Sequence, residues 1–263
     1  MQRLVIQSTV WLVTCFFLAR QLAHGADFNH ATVVSVIIFC VLWAGAFIET
    51  STWTRAQNLL GICAGVTILG ACAGVASVSA SRFGLFLSLF CYFHFSEFAL
   101  ISWAHTYPRF DSLLLNHGSK YAIAFTFSMI ESLLSSVRVD IYFQLFGTVT
   151  AILGLLLRAM ALWTAGPAFT HLIVTKRAPS HTLVTTGVYA IMRHPGYAGW
   201  LLWVSGAQLL AGNLVSFICF TIVTWIFFND RIAYEETLLL DMFGVEYRRY
   251  KARTPFSGVP GVP

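Results

Sequence analysis

Residues 141–164 read IYFQLFGTVTAILGLLLRAMALWT and carry one formal charge, on Arg158. About 20 helical residues cross the roughly 30 Å hydrocarbon core of a bilayer, because each residue advances a helix by about 1.5 Å. This stretch is long enough for such a crossing and contains almost no charge that lipid would exclude. It therefore predicts a membrane-spanning helix.

Comparable apolar runs recur along the whole chain. Of its 263 residues, 57% are hydrophobic and 10% are charged, and the mean hydropathy is +0.73. Such a composition lies far from that of soluble domains. The runs predict eight spans, at residues 4–22, 32–49, 58–79, 84–105, 121–136, 141–164, 199–210 and 214–228. The expected fold class is all-α, a polytopic transmembrane helical bundle with a C-terminal cytosolic catalytic region.

The positions of the basic residues support an even number of spans. With the amino terminus in the cytosol, twelve Lys and Arg residues fall in cytosolic segments, and three fall on the opposite side, namely Arg20, Arg82 and Arg138. Cytosolic loops of membrane proteins carry an excess of Lys and Arg. Both ends of the chain are therefore expected in the cytosol.

Two other classes of partner are not indicated. The formal net charge is +5, but the basic residues follow the loops and do not gather on one soluble face, as nucleic-acid binding would require. The cysteines all lie in apolar runs and form no C-x-x-C pair, so neither a disulfide framework nor a metal site is expected from Cys15, Cys40, Cys63, Cys72, Cys91 and Cys219.

The segment between the sixth and seventh predicted spans is polar. It contains HTLVTTGVY at residues 181–189 and RHPGYAGW at residues 193–200. Gly187 can adopt backbone angles closed to other residues, and Pro195 suits the first turn of a helix. The small Gly196 lets a ligand approach the main chain. This pattern favours a small charged ligand bound at a helix start.

Arg193 and His194 precede that helix start and admit two interpretations. They can contact the ligand, or they can anchor the helix at the lipid headgroups, as basic residues commonly do. Further along, residues 230–253 combine many charges with apolar residues at helical spacing, which predicts an amphipathic cytosolic helix on the membrane face.

Four ionisable side chains fall inside predicted spans: His94, Glu97, Glu131 and Arg158. Each is costly in lipid and is expected to face the interior of the bundle. A functional role and a packing role, with Arg158 paired to Glu97 or Glu131, are both compatible with the sequence.

Seven ordered segments resemble the isoprenylcysteine carboxyl methyltransferases. They are FHFSE at 93–97, LLLNH at 113–117, HTLVTTGVY at 181–189, RHPGYAGW at 193–200, FFNDR at 227–231, EE at 235–236 and FGVEY at 243–247. The Arg-His-Pro-x-Tyr string also occurs in phospholipid methyltransferases and some sterol reductases, whereas the whole ordered set is specific. The resemblance covers residues 93–255.

The resemblance implies an enzyme of the endoplasmic reticulum membrane that uses S-adenosylmethionine. The implied acceptor is the carboxylate of a prenylated C-terminal cysteine on CaaX-processed proteins such as small GTPases. With the apolar runs, this divides the chain into spans one to six in 1–165, a cytosolic cofactor-binding segment in 166–198, a transmembrane hairpin in 199–229 and a cytosolic helix completing the site in 230–263. The two halves of the hairpin are joined only by the turn formers Ala211, Gly212 and Asn213, which predicts that they are antiparallel.

Site residues follow from the same resemblance. The cofactor-binding positions are Val174 (through its backbone), His181, Thr182, Leu183, Val184, Tyr189, His194, Pro195, Gly196, Tyr197 and Glu235. Arg231 falls on a substrate-binding position, and Arg231 with Glu235 forms the expected catalytic pair. No metal is implied.

The residue types agree with this chemistry. A carboxylate is already a nucleophile at neutral pH, so methyl transfer to it requires alignment and exclusion of water, and no general base. The planar guanidinium of Arg231 suits a carboxylate, and Glu235 suits the ammonium group of the cofactor. The alternatives are a membrane phospholipid methyltransferase, which needs no Arg for a carboxylate, and a transporter, which the polar cytosolic motifs disfavour.

Overall fold

The computed structural model of the protein describes residues 82–105, 109–115, 119–134, 139–177 and 181–263, together with short pieces of the first 81 residues (7, 15–16, 19–20, 57, 61–66 and 70). The predicted span at 32–49 lies outside the described residues. The predicted spans at 4–22 and 58–79 lie largely outside them.

Regular structure in the described ranges is entirely helical. The α-helices are α1 (Arg82–Ala104), α2 (Ser119–Leu134), α3 (Ile141–Ala165), α4 (Pro195–Ala211), α5 (Leu214–Phe243) and α6 (Val245–Arg253). Short 3-10 helices occupy Phe110–Leu113, Gly166–Ala168 and Gly187–Ala190. The expected all-α class is thus confirmed for the described part of the chain.

Three of the described helices are long and apolar enough to cross a membrane: Arg82–Ala104, Ile141–Ala168 and Leu214–Phe243. They match the predicted spans at 84–105, 141–164 and 214–228. Helices α2 and α4 match the predicted spans at 121–136 and 199–210; with 16 and 17 residues they are shorter than the other three. The total of eight spans stays a prediction.

Helices α4 and α5 form the predicted antiparallel hairpin. Only Gly212 and Asn213 separate them, and Gly212 has a φ of +77°, which a side chain disfavours. Along the pair, Ser205 and Thr221 exchange a hydrogen bond of 2.8 Å between their hydroxyl groups. Helix α5 therefore runs back along α4 and passes the residues at the start of α4.

The end of α5 differs from the expected amphipathic helix at 230–253. Helix α5 continues without a break to Phe243, and a new helix begins only at Val245. The reason is local: α5 contains neither Pro nor Gly, and Gly244, with a φ of +53°, is the first residue suited to end it. The change from an apolar to an amphipathic sequence pattern changes the surroundings of the helix, but it does not end the helix.

The described residues form two compact units. The first comprises Met1–Gln144 with Leu210–Asn213, and the second comprises Leu145–Leu209 with Leu214–Pro263. In the first unit, His94 is fully buried, its Nδ1 lies 2.8 Å from the carbonyl oxygen of Leu113, and its Nε2 lies 3.3 Å from the hydroxyl of Tyr121. His94 therefore joins α1 to two neighbouring segments of that unit.

The second unit is built on close backbone contact between α3 and α4. A Cβ added to Gly199 would lie 2.7 Å from the backbone nitrogen of Arg158 and from the carbonyl oxygen of Gly154. Gly206, about two helical turns further along α4, lies similarly close to the backbone of Ala151. Small residues at a helix interface allow this approach in membrane proteins.

Gly154→Ala should destabilise the protein, because its methyl group would lie 2.6 Å from the carbonyl oxygen of Gly199. We expect a loss of about 1–2 kcal/mol after the better helix propensity of Ala is counted. The measurement is the melting temperature in detergent micelles. Leu153→Ala is the control, since Leu153 is exposed. Equal melting temperatures for the two variants would contradict the close contact.

Candidate functional site

The polar segment after α3 leads to the start of α4. It contains the 3-10 helices Gly166–Ala168 and Gly187–Ala190, and its described residues between them, 169–177 and 181–186, are irregular. In the second 3-10 helix the N–H of Tyr189 donates to the carbonyl of Thr186. Gly187 has a φ of +58°, and a Cβ there would lie 2.9 Å from the Thr164 side chain. Helix α4 then begins at Pro195, as predicted from its fixed φ and missing N–H.

Arg193, just before α4, is a buried ion-pair residue. Its Nε donates to Oε1 of Glu236 over 2.6 Å, and its side chain is 1% exposed. Its Nη1 donates to the carbonyl oxygen of Thr254 over 2.7 Å. These contacts disagree with the interpretation of Arg193 as a lipid headgroup anchor, because that role requires an exposed guanidinium.

His194 is also buried and lies between two carboxylates. Its Nε2 is 3.3 Å from Oε1 of Glu236, and its Nδ1 is 3.9 Å from Oε2 of Glu235. The imidazole is nearly parallel to the ring of Tyr197, with 5.6 Å between centroids. His194 therefore faces the same pair of acidic residues from the start of α4.

Tyr197 joins Arg231 to Glu235. Nε of Arg231 donates to the Tyr197 hydroxyl over 2.9 Å, and that hydroxyl donates to Oε2 of Glu235 over 2.6 Å. Nη2 of Arg231 donates to the carbonyl of His171 over 2.7 Å. Arg231 and Glu235 thus share one face of α5, as four-residue spacing on a continuous helix requires.

The hydroxyl of Tyr189 lies close enough to the Glu235 carboxylate to interact with its charge. Burial raises the pKa of the Tyr189 hydroxyl above its usual value, and the negative charge of Glu235 raises it further. The carbonyl of Tyr189 accepts the hydroxyl of Tyr250 over 2.7 Å. Burial raises the pKa of Tyr250 to about 12, so this hydroxyl stays protonated and donates.

Arg158 and Gly196 form one wall of the same region. Nη1 of Arg158 donates to the carbonyl of Gly196 over 2.9 Å, and the guanidinium lies 4.8 Å from the Trp200 ring centroid. A Cβ on Gly196 would lie 3.3 Å from the Phe169 ring. Arg158 faces inward as expected, and the contacts resolved here tie it to the first turn of α4.

The remaining predicted cofactor residues lie in the described stretches 169–177 and 181–186, which precede Gly187. Val174, His181, Leu183 and Val184 are half-buried there, and Thr182 is exposed. They are neighbours of Tyr189 along the chain. The structure thus brings Tyr189, His194, Tyr197, Arg231 and Glu235 together around the end of the hairpin.

Sequence reasoning missed Glu236 as a participant. Its carboxylate accepts hydrogen bonds from Arg193 and from the Lys251 ammonium, and it lies beside His194. Successive residues of a helix point about 100° apart, so Glu235 accepts from Tyr197 while Glu236 accepts from Arg193 and Lys251, with His194 between the two carboxylates. The signal was the Glu-Glu pair itself, since adjacent residues of a helix point in different directions.

Comparisons with known proteins point to one enzyme family. The family model for isoprenylcysteine carboxyl methyltransferases matches residues 147–241. The protein-S-isoprenylcysteine O-methyltransferase of Schizosaccharomyces pombe is 36% identical over 204 residues, which are 70% of this chain and 85% of that protein. Protein-S-isoprenylcysteine O-methyltransferase B of Arabidopsis thaliana is 41% identical over 183 residues, covering 68% of this chain and 92% of that protein.

A solved structure of a eukaryotic intramembrane Ras methyltransferase, itself an isoprenylcysteine carboxyl methyltransferase, superposes with a TM-score of 0.81. Its sequence is 28% identical, and the match covers 99% of this chain and 97% of that one. With its long apolar helices, the protein is an integral membrane enzyme that transfers methyl groups. The chain belongs to the isoprenylcysteine carboxyl methyltransferase family.

Proposed function

We propose that the enzyme esterifies the C-terminal carboxylate of a prenylated cysteine with a methyl group from S-adenosylmethionine. Its substrates are CaaX-processed proteins, small GTPases among them, at the endoplasmic reticulum membrane. The observation that supports this most is the hydrogen-bonded series Arg231, Tyr197 and Glu235, which sets a cation for an acidic acceptor beside an anion for a basic donor.

Arg231 suits the role of carboxylate ligand. Its bonds to the hydroxyl of Tyr197 and the carbonyl of His171 hold the guanidinium plane and use two of its five N–H donors. A carboxylate can then be bound by two parallel hydrogen bonds from the fixed fork. Neither of these partners is a carboxylate, so they leave the positive charge of Arg231 to attract an anionic acceptor.

The residues around Glu235 fit the proposed methyl donor. The Glu235 side chain is 27% exposed, so a cationic group can reach a carboxylate that accepts from Tyr197 on one side. Tyr189 and Tyr197 offer aromatic rings, which attract positive charge. Gly196 packs so closely against Phe169 that a Cβ there would lie 3.3 Å from the ring. Val174, residues 181–184, Tyr189, His194, Pro195, Gly196, Tyr197 and Glu235 would hold the donor.

S-adenosylmethionine supplies a methyl group on an already activated sulfonium. The protein residues therefore align and dehydrate the reactants, and none has to remove a proton. Arg231 holds the acceptor oxygen and Glu235 holds the donor, each through side chains fixed by Tyr197. One turn of α5 separates the two, about 5–6 Å between Cβ atoms, which suits neighbouring reactants.

The division of the chain proposed with this function keeps spans in residues 1–165 and 199–229, and cytosolic parts in 166–198 and 230–263. The donor is water-soluble and the prenyl chain is lipid-soluble. A site at the boundary between the apolar and the charged parts of α5 can bind both the donor and the prenyl chain. Helix α5, with 30 residues or about 45 Å, is long enough to extend past the hydrocarbon core.

Eight spans with both ends cytosolic predict a specific protease result. Tags at Met1 and Pro263 should both be cleaved when protease is added to the cytosolic side of sealed vesicles, because an even number of crossings returns the chain to its starting side. The control is detergent-opened vesicles, in which lumenal sites are cleaved as well. Protection of a single tag would contradict the even number.

The function is tested with purified protein, labelled S-adenosylmethionine and three acceptors. N-acetyl-farnesylcysteine should be methylated, and the non-prenylated N-acetylcysteine should not. Phosphatidylethanolamine should also stay unlabelled, since its methyl-accepting atom is an amine nitrogen and it offers no acceptor carboxylate for Arg231 to orient. Label in the phospholipid and none in the prenylcysteine would replace the proposal by a lipid methyltransferase.

A further inference from the structure

Residues 254–262, called the strap below, run beside the start of α4. The N–H of Arg193 donates to the carbonyl of Phe256 over 3.1 Å, and the N–H of His194 donates to the carbonyl of Ser257 over 2.7 Å. His194 directly precedes α4, and its own carbonyl accepts the N–H groups of Tyr197 and Ala198. The strap therefore binds the residue from which the helix starts.

The side chain of Arg193 connects the strap to α5. Its Nη1 donates to the carbonyls of Thr254 and Pro255 over 2.7 and 2.5 Å, while its Nε is paired with Glu236. The guanidinium carries its donors on three nitrogens and can reach both partners at once, whereas an ammonium carries its three donors on one nitrogen. Arg193 thus makes the position of α4 depend on the strap and on α5 together.

The strap is itself held firmly. The hydroxyl of Ser257, fully buried, donates to the carbonyl of Val262 over 2.7 Å. Val259 and Val262 are buried in a cluster with Phe228 and Ile232 of α5, against which Tyr197, Trp200 and Leu201 also pack. The apolar strap residues therefore pack in the same cluster as Tyr197.

Gly258 allows the strap to approach His194. Its φ is +110°, and a Cβ there would lie 3.2 Å from the carbonyl oxygen of His194 and 3.3 Å from the Cβ of Ala198. Gly261 also has a positive φ, +75°, but a Cβ there meets only Trp225, at 3.8 Å. Both glycines therefore have a positive φ, but only Gly258 lies against the start of α4.

We infer that the strap and Arg193 position the donor half of the site by fixing the orientation of His194 and Tyr197. This inference rests on the proposed function. None of the strap residues is among the proposed ligands of either reactant. They act through His194 and Tyr197, which are proposed donor ligands. Arg193, Ser257 and Gly258 are therefore positioning residues. Their loss should weaken donor binding more than it slows the reaction at saturating donor.

The test compares Gly258→Ala with Gly261→Ala in the full-length protein. Gly258→Ala should raise the Kd for S-adenosylhomocysteine and the KM for the methyl donor at least tenfold, with kcat lowered less than threefold. Gly261→Ala should leave all three within twofold of the wild type. Equal behaviour of the two variants, or a loss of kcat with unchanged KM and Kd, would overturn the inference, because a purely structural strap lowers the amount of active enzyme.

Arg193→Lys provides a second variant should Gly258→Ala fail to fold. Its ammonium keeps the positive charge, but one nitrogen replaces the separate Nε and Nη1 that reach Glu236 and the strap carbonyls, so the same rise in donor KM is expected. An unchanged donor KM in folded Arg193→Lys would refute the positioning role. Failure of the proposed function is distinguishable, because wild-type protein would then not methylate N-acetyl-farnesylcysteine, whereas Kd for S-adenosylhomocysteine is measured with no acceptor present.

Discussion

Arg231→Lys should lower kcat/KM for N-acetyl-farnesylcysteine by about 10- to 150-fold, the equivalent of a lost hydrogen bond to a charged group, about 1.5–3 kcal/mol. Lys keeps the positive charge, but its single ammonium lacks the fork that can bind Tyr197, His171 and an acceptor carboxylate together. The Kd for S-adenosylhomocysteine should change less than threefold, since Arg231 serves the acceptor.

The matched control is Arg248→Lys, the same chemical change at an exposed position of α6. It should leave kcat/KM within twofold of the wild type. Two outcomes would contradict the assignment of Arg231. If Arg231→Lys behaves like the control, the residue is an ordinary interfacial cation. If donor affinity falls together with activity, Arg231 is a structural partner of Glu235 and not an acceptor ligand.

Glu235→Gln should weaken binding of S-adenosylhomocysteine by about 10- to 150-fold, because a neutral amide replaces the charge that faces the ligand ammonium. The amide oxygen of Gln can still accept the Tyr197 hydroxyl, which keeps the local geometry. Titration calorimetry on the purified variant measures the change. KM for the prenylcysteine should move less than threefold at saturating donor.

Asp241→Asn is the control for Glu235→Gln, since it removes one negative charge from an exposed position of the same helix. It should bind S-adenosylhomocysteine like the wild type. An unchanged Kd in well-folded Glu235→Gln would remove Glu235 from the donor site. A rise in Kd of equal size in both variants would show a general electrostatic effect of the helix.

The helices of the described region were largely predictable from sequence, because each depends on a local pattern. The apolar run at 141–164 became α3, Pro195 began α4, and the short turn before Leu214 produced the hairpin. The end of α5 was not predicted, since a change from apolar to amphipathic residues does not interrupt hydrogen bonds along a helix. The helical backbone angles end at Gly244, whose φ is +53°.

The arrangement of the candidate site was predictable only where it lies within one helix. The shared face of Arg231 and Glu235 follows from their spacing on α5. Tyr197 reaches them from 34 and 38 residues away, and that contact depends on the register of the hairpin. The buried pair of Arg193 and Glu236 depends on the same register, so the motif at 193–200 did not reveal whether Arg193 faces lipid, ligand or protein.

The strap could not be recognised from its composition. Residues 254–262 show neither helical nor strand periodicity, and a short stretch with Gly, Val and Pro is typical of an exposed loop. Val259 and Val262 are buried only because the hairpin offers an apolar surface beside Phe228. Such burial comes from tertiary packing, which no local pattern of the strap records.

The identity of the methylated group decides whether the enzyme forms a carboxyl ester, as proposed. Protein methylated on a carboxylate carries an ester, which alkali hydrolyses to methanol, whereas a methylated amine is stable to alkali. With labelled S-adenosylmethionine and N-acetyl-farnesylcysteine, the account predicts that alkali releases the incorporated label as volatile methanol. Label that stays with the acceptor after alkali would contradict the account, because the acceptor atom would not be the carboxylate oxygen that Arg231 is proposed to hold.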